Sequence, residues 1–92
     1  MGSCHFAVRQ TGKTAAEAFT TARDRAVGEN GYGGYTGTIA EKYGFEMVKV
    51  PEGKTPKQTY FSVRDEWDDK EGPAGCIDMG DGSYIFFGEA AE

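Results

Sequence analysis

With 92 residues, the chain has room for one domain (residues 1–92) and one hydrophobic core. Hydrophobic residues make up 38% and aromatic residues 13%, which is a globular composition, and the fourteen glycines predict many tight turns. The net charge of −5 argues against binding to a nucleic-acid phosphate backbone, but it leaves open an acidic surface for a basic partner. No apolar stretch is long enough to span a membrane and the first residues lack a signal peptide's apolar region, so we expect a cytoplasmic protein.

The first third of the chain predicts a strand followed by a helix. Residues 5–9 are interpreted as a strand with Phe6 and Val8 on one face. Thr14 and Glu17 have the spacing of a capping box that begins a helix, and Asn30-Gly31 ends it. An alanine-rich stripe with Phe19 as its large anchor predicts the face that packs on a sheet. The opposite face is expected to be solvated and carries Arg23, Asp24, Arg25 and Glu29.

The middle of the chain predicts two strands and a second helix. Residues 35–42 and 45–50 are interpreted as strands joined by a tight hairpin turn at Tyr43-Gly44. Thr55 and Gln58 form a second capping box, with proline between them at the first helical position, so a helix should run from there to about Lys70. Its buried face should carry Tyr60, Val63 and Trp67.

The last third predicts a hairpin. Residues 75–79 and 83–87 should be strands around Asp81-Gly82, a strong turn signal. The resulting order, β-α-β-β-α-β-β, predicts an α+β fold with two layers. Two helices should pack on one face of a mostly antiparallel sheet of about five strands.

The residues predict neither a catalytic group nor a metal site. Cys4 and Cys76 are expected to be small buried apolar residues rather than a disulfide. His5 is the only histidine, and its neighbour Cys4 should point to the opposite face of the strand, which prevents a Cys–His catalytic pair. One histidine and two distant cysteines do not make a zinc site. We therefore expect a protein without enzymatic activity, cofactor or metal.

The segment before the first helix offers one candidate anion site. Thr11-Gly-Lys-Thr14 is similar to the end of a phosphate-binding P-loop, but Ala7 stands where that loop requires glycine. Helix capping alone is the favoured interpretation. The alternative is one phosphate or carboxylate bound by the first N–H groups of the helix with help from Lys13.

The connection between the first helix and the next strand is rich in glycine and tyrosine. Glycines permit a close approach of the backbone to a ligand, and tyrosine rings offer flat surfaces for stacking a base or sugar. The favoured interpretation is a helix stop followed by a bent strand, and the alternative is a ligand-contacting loop. Its candidate ligand-binding residues are Tyr32, Gly33, Gly34, Tyr35, Thr36 and Thr38.

A run of carboxylates occupies the last turns of the second predicted helix. Such groups in the last turns of a helix oppose its dipole and repel one another, so a solvated helix end is the favoured interpretation. The alternative is a contact surface for a basic partner, with Trp67 in the core or as an anchor. The candidate partner-binding residues are Asp65, Glu66, Asp68 and Asp69.

Three segments together resemble a family of small hypothetical proteins carried by bacteriophages and mobile elements: TGKTAAEAF, GYGGYTGTIAEK (residues 31–42) and GPAGCIDMGDGSYIFFG (residues 72–88). The resemblance brings no functional residues with it. It implies an accessory protein that acts in the cytoplasm of an infected cell by binding a host protein or a nucleotide signal.

Three functional hypotheses follow. The first is a non-enzymatic phage-type protein that binds and modulates or blocks a host protein. The second is a small-molecule binding or sequestering module, for a nucleotide-like ligand, with Lys13 added to the glycine–tyrosine loop. The third is a structural subunit held in an oligomer, such as a homodimer, through an exposed sheet edge.

Overall fold

A computed structural model describes residues 3–30, 37–68 and 72–91 of the chain. These residues form four strands, two α-helices and two 3₁₀ helices. In chain order these elements are β1 (Ser3–Thr11), α1 (Ala15–Asn30), the first 3₁₀ helix (Ile39–Glu41), β2 (Phe45–Met47), α2 (Pro56–Val63), the second 3₁₀ helix (Arg64–Glu66), β3 (Ala74–Asp78) and β4 (Ser83–Ala91).

The four strands of the described residues form one mixed sheet in the order β1-β4-β3-β2. β4 pairs antiparallel with both β1 and β3, whereas β2 pairs parallel with β3. The predicted α+β class is confirmed. The prediction of about five strands in the order β-α-β-β-α-β-β is wrong.

The missing strand is the one predicted over residues 35–42. Residues 31–36 lie outside the described part, but Ile39–Glu41 form a 3₁₀ helix. The Thr38 hydroxyl accepts a hydrogen bond from the Ala40 N–H at 3.2 Å, and this local cap favours the helical turn over a strand. Ile39 in this turn is fully buried.

The predicted hairpin at Tyr43-Gly44 is also wrong. Residues 37–42 provide no strand to precede it, and β2 instead uses β3 as its parallel neighbour. The Gly44 carbonyl accepts a hydrogen bond from the Ala74 N–H at 3.0 Å, which starts this parallel pairing. The segment from α2 to the second 3₁₀ helix then forms the crossover that two parallel strands require.

The two helices pack on opposite faces of the sheet, so the prediction that both lie on one face is wrong. Adjacent residues of a strand point to opposite faces, and β4 has large aromatic side chains on both. Phe86 packs against Phe19 of α1, with ring centroids 5.5 Å apart. Phe87 packs against Tyr60 of α2, with centroids 5.2 Å apart. The sheet is therefore the middle layer of three, with a separate apolar cluster on each side.

Both predicted helix starts are confirmed. The Thr14 hydroxyl accepts a hydrogen bond from the Glu17 N–H at 3.1 Å. Thr55 and Gln58 form a complete capping box at the start of α2. α2 ends at Val63, however, and does not reach Lys70, because residues 64–66 tighten into a 3₁₀ turn that brings Trp67 onto Phe87.

The C-terminal hairpin follows the prediction closely. The Met79 N–H donates to the Ser83 carbonyl at 3.0 Å, closing the turn. Gly80 and Gly82 adopt φ values of 81° and 88°, which glycine tolerates without strain. The Asp81 carboxylate accepts hydrogen bonds from the backbone N–H and the hydroxyl of Ser83, and it also pairs with Arg9 of β1. The hairpin is therefore fastened to β1.

Candidate functional site

The predicted ligand-binding loop lies mostly outside the described residues. The predicted ligand-binding residues that lie outside the described part are Tyr32, Gly33, Gly34, Tyr35 and Thr36. Thr38 is described and caps the first 3₁₀ helix through its hydroxyl.

Lys13 is not brought near Thr38. Lys13 precedes the first residue of α1, whereas Thr38 follows its last turn and lies beside Ala26 and Glu29. A helix of 16 residues is about 24 Å long, at a rise of ~1.5 Å per residue. One small ligand cannot contact both, so the predicted site divides into two separate places.

At the beginning of α1, the residues fit helix capping. Thr14 uses its hydroxyl for the cap, and Lys13 is exposed. The Gly12 N–H donates to the Gly82 carbonyl at 3.3 Å. A Cβ on Gly12 would lie 2.9 Å from the Ala18 nitrogen, so glycine here serves the close packing of the loop against the helix.

The acidic residues after α2 form an exposed surface. Asp65, Glu66 and Asp68 are all exposed, and Asp69 lies outside the described residues. The Asp65 side chain is 98% exposed, and Nε of the Arg64 guanidinium lies 3.9 Å from its carboxylate. An exposed pair at that distance neutralises little of the local negative charge.

An aromatic side chain missed by the sequence interpretation precedes these carboxylates by a few residues in the chain. Phe61 is 57% exposed. Trp67, the residue considered as an anchor in the sequence analysis, instead packs against Phe87. Phe61 precedes Asp65 by four positions, about one helical turn. The signal was present in the sequence: Phe61 does not belong to the stripe of Tyr60, Val63 and Trp67, so an aromatic side chain off the buried face of α2 should face outward.

The helix that carries Phe61 is held firmly on the sheet. The Tyr60 hydroxyl forms a 3.0 Å hydrogen bond with Nε2 of His5 on β1. The Tyr60 ring also packs edge-on against Phe87, and the Arg64 guanidinium lies 5.8 Å from its centroid. These contacts anchor the segment that exposes Phe61, Asp65, Glu66 and Asp68, and these four residues are called here the α2 surface.

A cavity of about 290 Å³ lies between α1 and β1. Its apolar wall comes from both elements and from the first 3₁₀ helix, and it includes Phe6, Val8, Ala22, Ala26 and Ile39. Its polar lining includes Arg25, Glu29 and Thr38, and Arg25 donates to the Gln10 side chain at 3.1 Å. Arg25 and Glu29 are exposed, as expected, and they also line this cavity.

Lys42 is buried, which the sequence interpretation did not predict. Its side chain is 1% exposed, and Nζ donates to the Gly72 carbonyl at 2.8 Å. The lysine thus ties the segment after the first 3₁₀ helix to the residue that leads into β3. Nothing in its sequence position, at the end of a predicted strand, distinguished it from a solvated lysine.

The two cysteines differ in environment. Cys76 is fully buried, as expected, and burial together with the nearby Asp78 carboxylate raises the pKa of its thiol to about 12. Cys4 is only half-buried. Within residues 3–30, 37–68 and 72–91, no three side chains of the metal-ligating types come together, and neither helix is long and apolar enough to cross a membrane.

Comparison with protein-family models, with curated proteins and with solved structures gives no match for this chain. Its function is therefore inferred from the arrangement of its own side chains.

Proposed function

We propose that this chain is a non-enzymatic phage-type accessory protein that binds a host protein and modulates or blocks it through the α2 surface. The partner is a protein with a basic rim around an apolar pocket. Phe61 enters the pocket and the carboxylates of Asp65, Glu66 and Asp68 face the rim.

The observation that carries this proposal is the exposure of Phe61 in the same short segment of chain as three exposed carboxylates. Aromatic side chains buried at an interface contribute much of the binding energy, whereas charges at its rim steer encounter and discriminate among partners. The anchoring of Tyr60 supports the same conclusion, because a side chain presented by a rigid support loses less entropy on binding.

The test compares capture of a bacterial host protein by wild type and by two variants of the α2 surface. Phe61→Ala removes the aromatic ring and should weaken capture on the order of 30-fold or more, the effect of losing a hot-spot side chain. The triple variant Asp65→Lys, Glu66→Lys, Asp68→Lys reverses the rim charge and should abolish capture.

Two matched controls distinguish an effect specific to the α2 surface from the general effect of losing an exposed aromatic side chain or of changing the net charge. Tyr43→Ala removes another exposed aromatic side chain, which is 94% exposed. The triple variant Asp24→Lys, Glu46→Lys, Glu52→Lys reverses three exposed carboxylates elsewhere and gives the same net charge. Both controls should retain the partner. Retention by the α2-surface variants, or equal loss in the controls, would contradict the proposal.

The cavity supports a second candidate function, a module that binds or sequesters a small nucleotide-like molecule. Its volume of about 290 Å³ is at the lower end of ligand pockets, which begin at roughly 300 Å³. An apolar wall with Arg25, Glu29 and Thr38 in its polar lining suits a flat ring that carries hydrogen-bonding groups. The size favours a nucleobase, nucleoside or mononucleotide over a dinucleotide.

Thermal unfolding with a panel of nucleobases, nucleosides and mononucleotides tests this second candidate. A ligand at 100 times its Kd adds about 2.7 kcal/mol to the free energy of unfolding, which would raise Tm by roughly 10 °C or more in a domain of this size. Ala26→Leu, which narrows the cavity, should abolish the shift. The absence of any shift across the panel at millimolar ligand would exclude this function.

A further inference from the structure

The outer edge of β1 is long and regular. β1 lies at the end of the sheet order, and all nine of its residues pair with β4 on one side. Among the described residues, no strand pairs with its other side. An edge of this length carries a row of backbone donors and acceptors that another strand can use.

The hydrogen-bonding pattern shows which residues of β1 face outward. In the β1–β4 register, Gly12 continues the pairing opposite Gly82, and the Gly12 N–H donates to the Gly82 carbonyl. In an antiparallel pair, such hydrogen-bonded positions alternate with positions whose N–H and C=O groups point away. The even-numbered residues of β1 therefore bond to β4. The outward-facing backbone groups belong to Ser3, His5, Ala7, Arg9 and Thr11.

The other side of β4 agrees with this assignment. The Met79 N–H donates to the Ser83 carbonyl, so the odd-numbered residues of β4 bond to β3. Its even-numbered residues are left to bond with β1. The outward set on β1 has five members, and its middle member, Ala7, is also the middle residue of the strand.

We propose that the chain forms a twofold-symmetric homodimer in which the outer edges of two β1 strands pair antiparallel, with Ala7 on the axis. This inference does not depend on the proposed function, because it rests on the backbone groups of the β1 edge and not on the side chains of the α2 surface. A twofold axis through an outward-facing residue lets each outward residue of one strand meet an outward residue of the other, so all nine positions pair. The result is one continuous eight-stranded sheet.

The side chains of β1 fit this register. Ala7 meets the partner's Ala7, the smallest pair available on the strand, and its exposed position leaves the axis unobstructed. Phe6 meets the partner's Val8, which pairs an aromatic with a β-branched side chain. His5 meets the partner's Arg9, so the two arginines lie about 13 Å apart, four residues along the sheet.

Charge favours this register over its alternatives. β1 contains no carboxylate, in a chain whose net charge is −5, and Arg9 is its only permanently charged residue. An axis through Arg9 would bring two guanidinium groups face to face, whereas an axis through Phe6 or Val8 would pair fewer residues. On the face of the sheet that α1 covers, Arg25 and Glu29 carry opposite charges and lie about one helical turn apart. The twofold axis makes α1 of the second copy run in the opposite direction, so the two charges occur there in reverse order.

The test uses the side chain on the axis. Sedimentation equilibrium of wild type should show a dimer. Ala7→Asp and Ala7→Lys each place like charges directly opposite one another and should each raise the dimer dissociation constant on the order of tenfold or more. An equimolar mixture of the two variants should restore the dimer, because each aspartate then faces a lysine. Thr20→Asp and Thr20→Lys, at an exposed site on α1, are the matched controls and should remain dimeric.

A second measurement fixes the register. Opposed hydrogen-bonded residues in an antiparallel pair have Cα atoms about 5.5 Å apart, within the range for a disulfide. Ala7→Cys in a Cys4→Ser background should therefore cross-link under mild oxidation, and Thr20→Cys in the same background should not. A monomeric wild type, a dimer that both Ala7 charge variants leave intact, or equal cross-linking at the two positions would overturn the proposal.

Discussion

Replacing Gly75 with alanine should lower the free energy of unfolding by about 1–3 kcal/mol, the usual cost of overpacking a core. Gly75 pairs with Phe87 across β3 and β4. A Cβ on Gly75 would lie 2.5 Å from Cζ and 2.7 Å from Cε2 of the Phe87 ring, well inside van der Waals contact. The ring has little room to retreat, because Tyr60 and Trp67 pack edge-on against it at centroid distances of 5.2 and 5.9 Å.

The Phe87 ring also packs against Tyr60 of α2, so Gly75→Ala tests how α2 is held on the sheet as well. Urea denaturation followed by circular dichroism gives the free energy of unfolding for wild type, Gly75→Ala, Phe87→Leu and the double variant. A smaller side chain at position 87 relieves the clash, so the double variant should be more stable than the sum of the single effects predicts, by at least about 0.5 kcal/mol.

Gly44→Ala is the matched control, since a Cβ there meets nothing within 4 Å. Its stability should stay within about 1 kcal/mol of wild type, because alanine mainly restricts the unfolded chain at such a site. Strict additivity in the double-mutant cycle, or equal losses for Gly75→Ala and Gly44→Ala, would refute the packing argument.

Three further predictions concern thiols, pH and the exposed face of α1. At pH 8, a thiol reagent should label Cys4 but not Cys76 in the folded protein and both in denaturant, since burial raises the pKa of the Cys76 thiol to about 12; rapid labelling of both in the folded state would contradict this. The hydrogen bond from the Ser83 hydroxyl, with others from Ser83 and Arg9, lowers the pKa of the Asp81 carboxyl below 3.8, so its stabilisation is complete above that pH and is lost as the pH falls through the folded value. The Tm difference between wild type and Asp81→Asn should therefore shrink below about pH 4, and a constant difference from pH 7 to pH 2 would disprove the linkage. Gly28→Ala should raise the free energy of unfolding by about 0.5–1 kcal/mol in urea titration, because Gly28 lies inside α1 with open space around it; a loss would contradict that.

Local interactions could be predicted from the sequence because their donors and acceptors lie within a few residues of each other. The Thr14 and Thr55 caps depend on bonds to backbone groups three residues away, and both formed as predicted. The Asp81-Gly82 turn depends on glycine at positive φ and on carboxylate bonds to Ser83. Composition and pattern were likewise enough for the α+β class.

The candidate surfaces were only partly predictable. The exposed carboxylates after α2 were identified as candidates, but Phe61 was overlooked because hydrophobicity alone places a phenylalanine inside. The cavity was overlooked because it forms between α1 and β1, and no pattern within either element records how closely they approach. The burial of Lys42 depends on the carbonyl of Gly72, 30 residues later in the chain.

The sequence by itself determined where the helices begin, where the last hairpin turns and which side chains are apolar enough to form a core. Only the tertiary structure decided that α1 and α2 cover opposite faces of the sheet and that β2 runs parallel to β3. The run Ile85-Phe86-Phe87 indicates that both faces of the sheet are covered, because consecutive large apolar residues are typical of a strand buried on both faces. Strand order remained open because pairing energies are set between segments far apart in the chain, and no local preference distinguishes one neighbour from another.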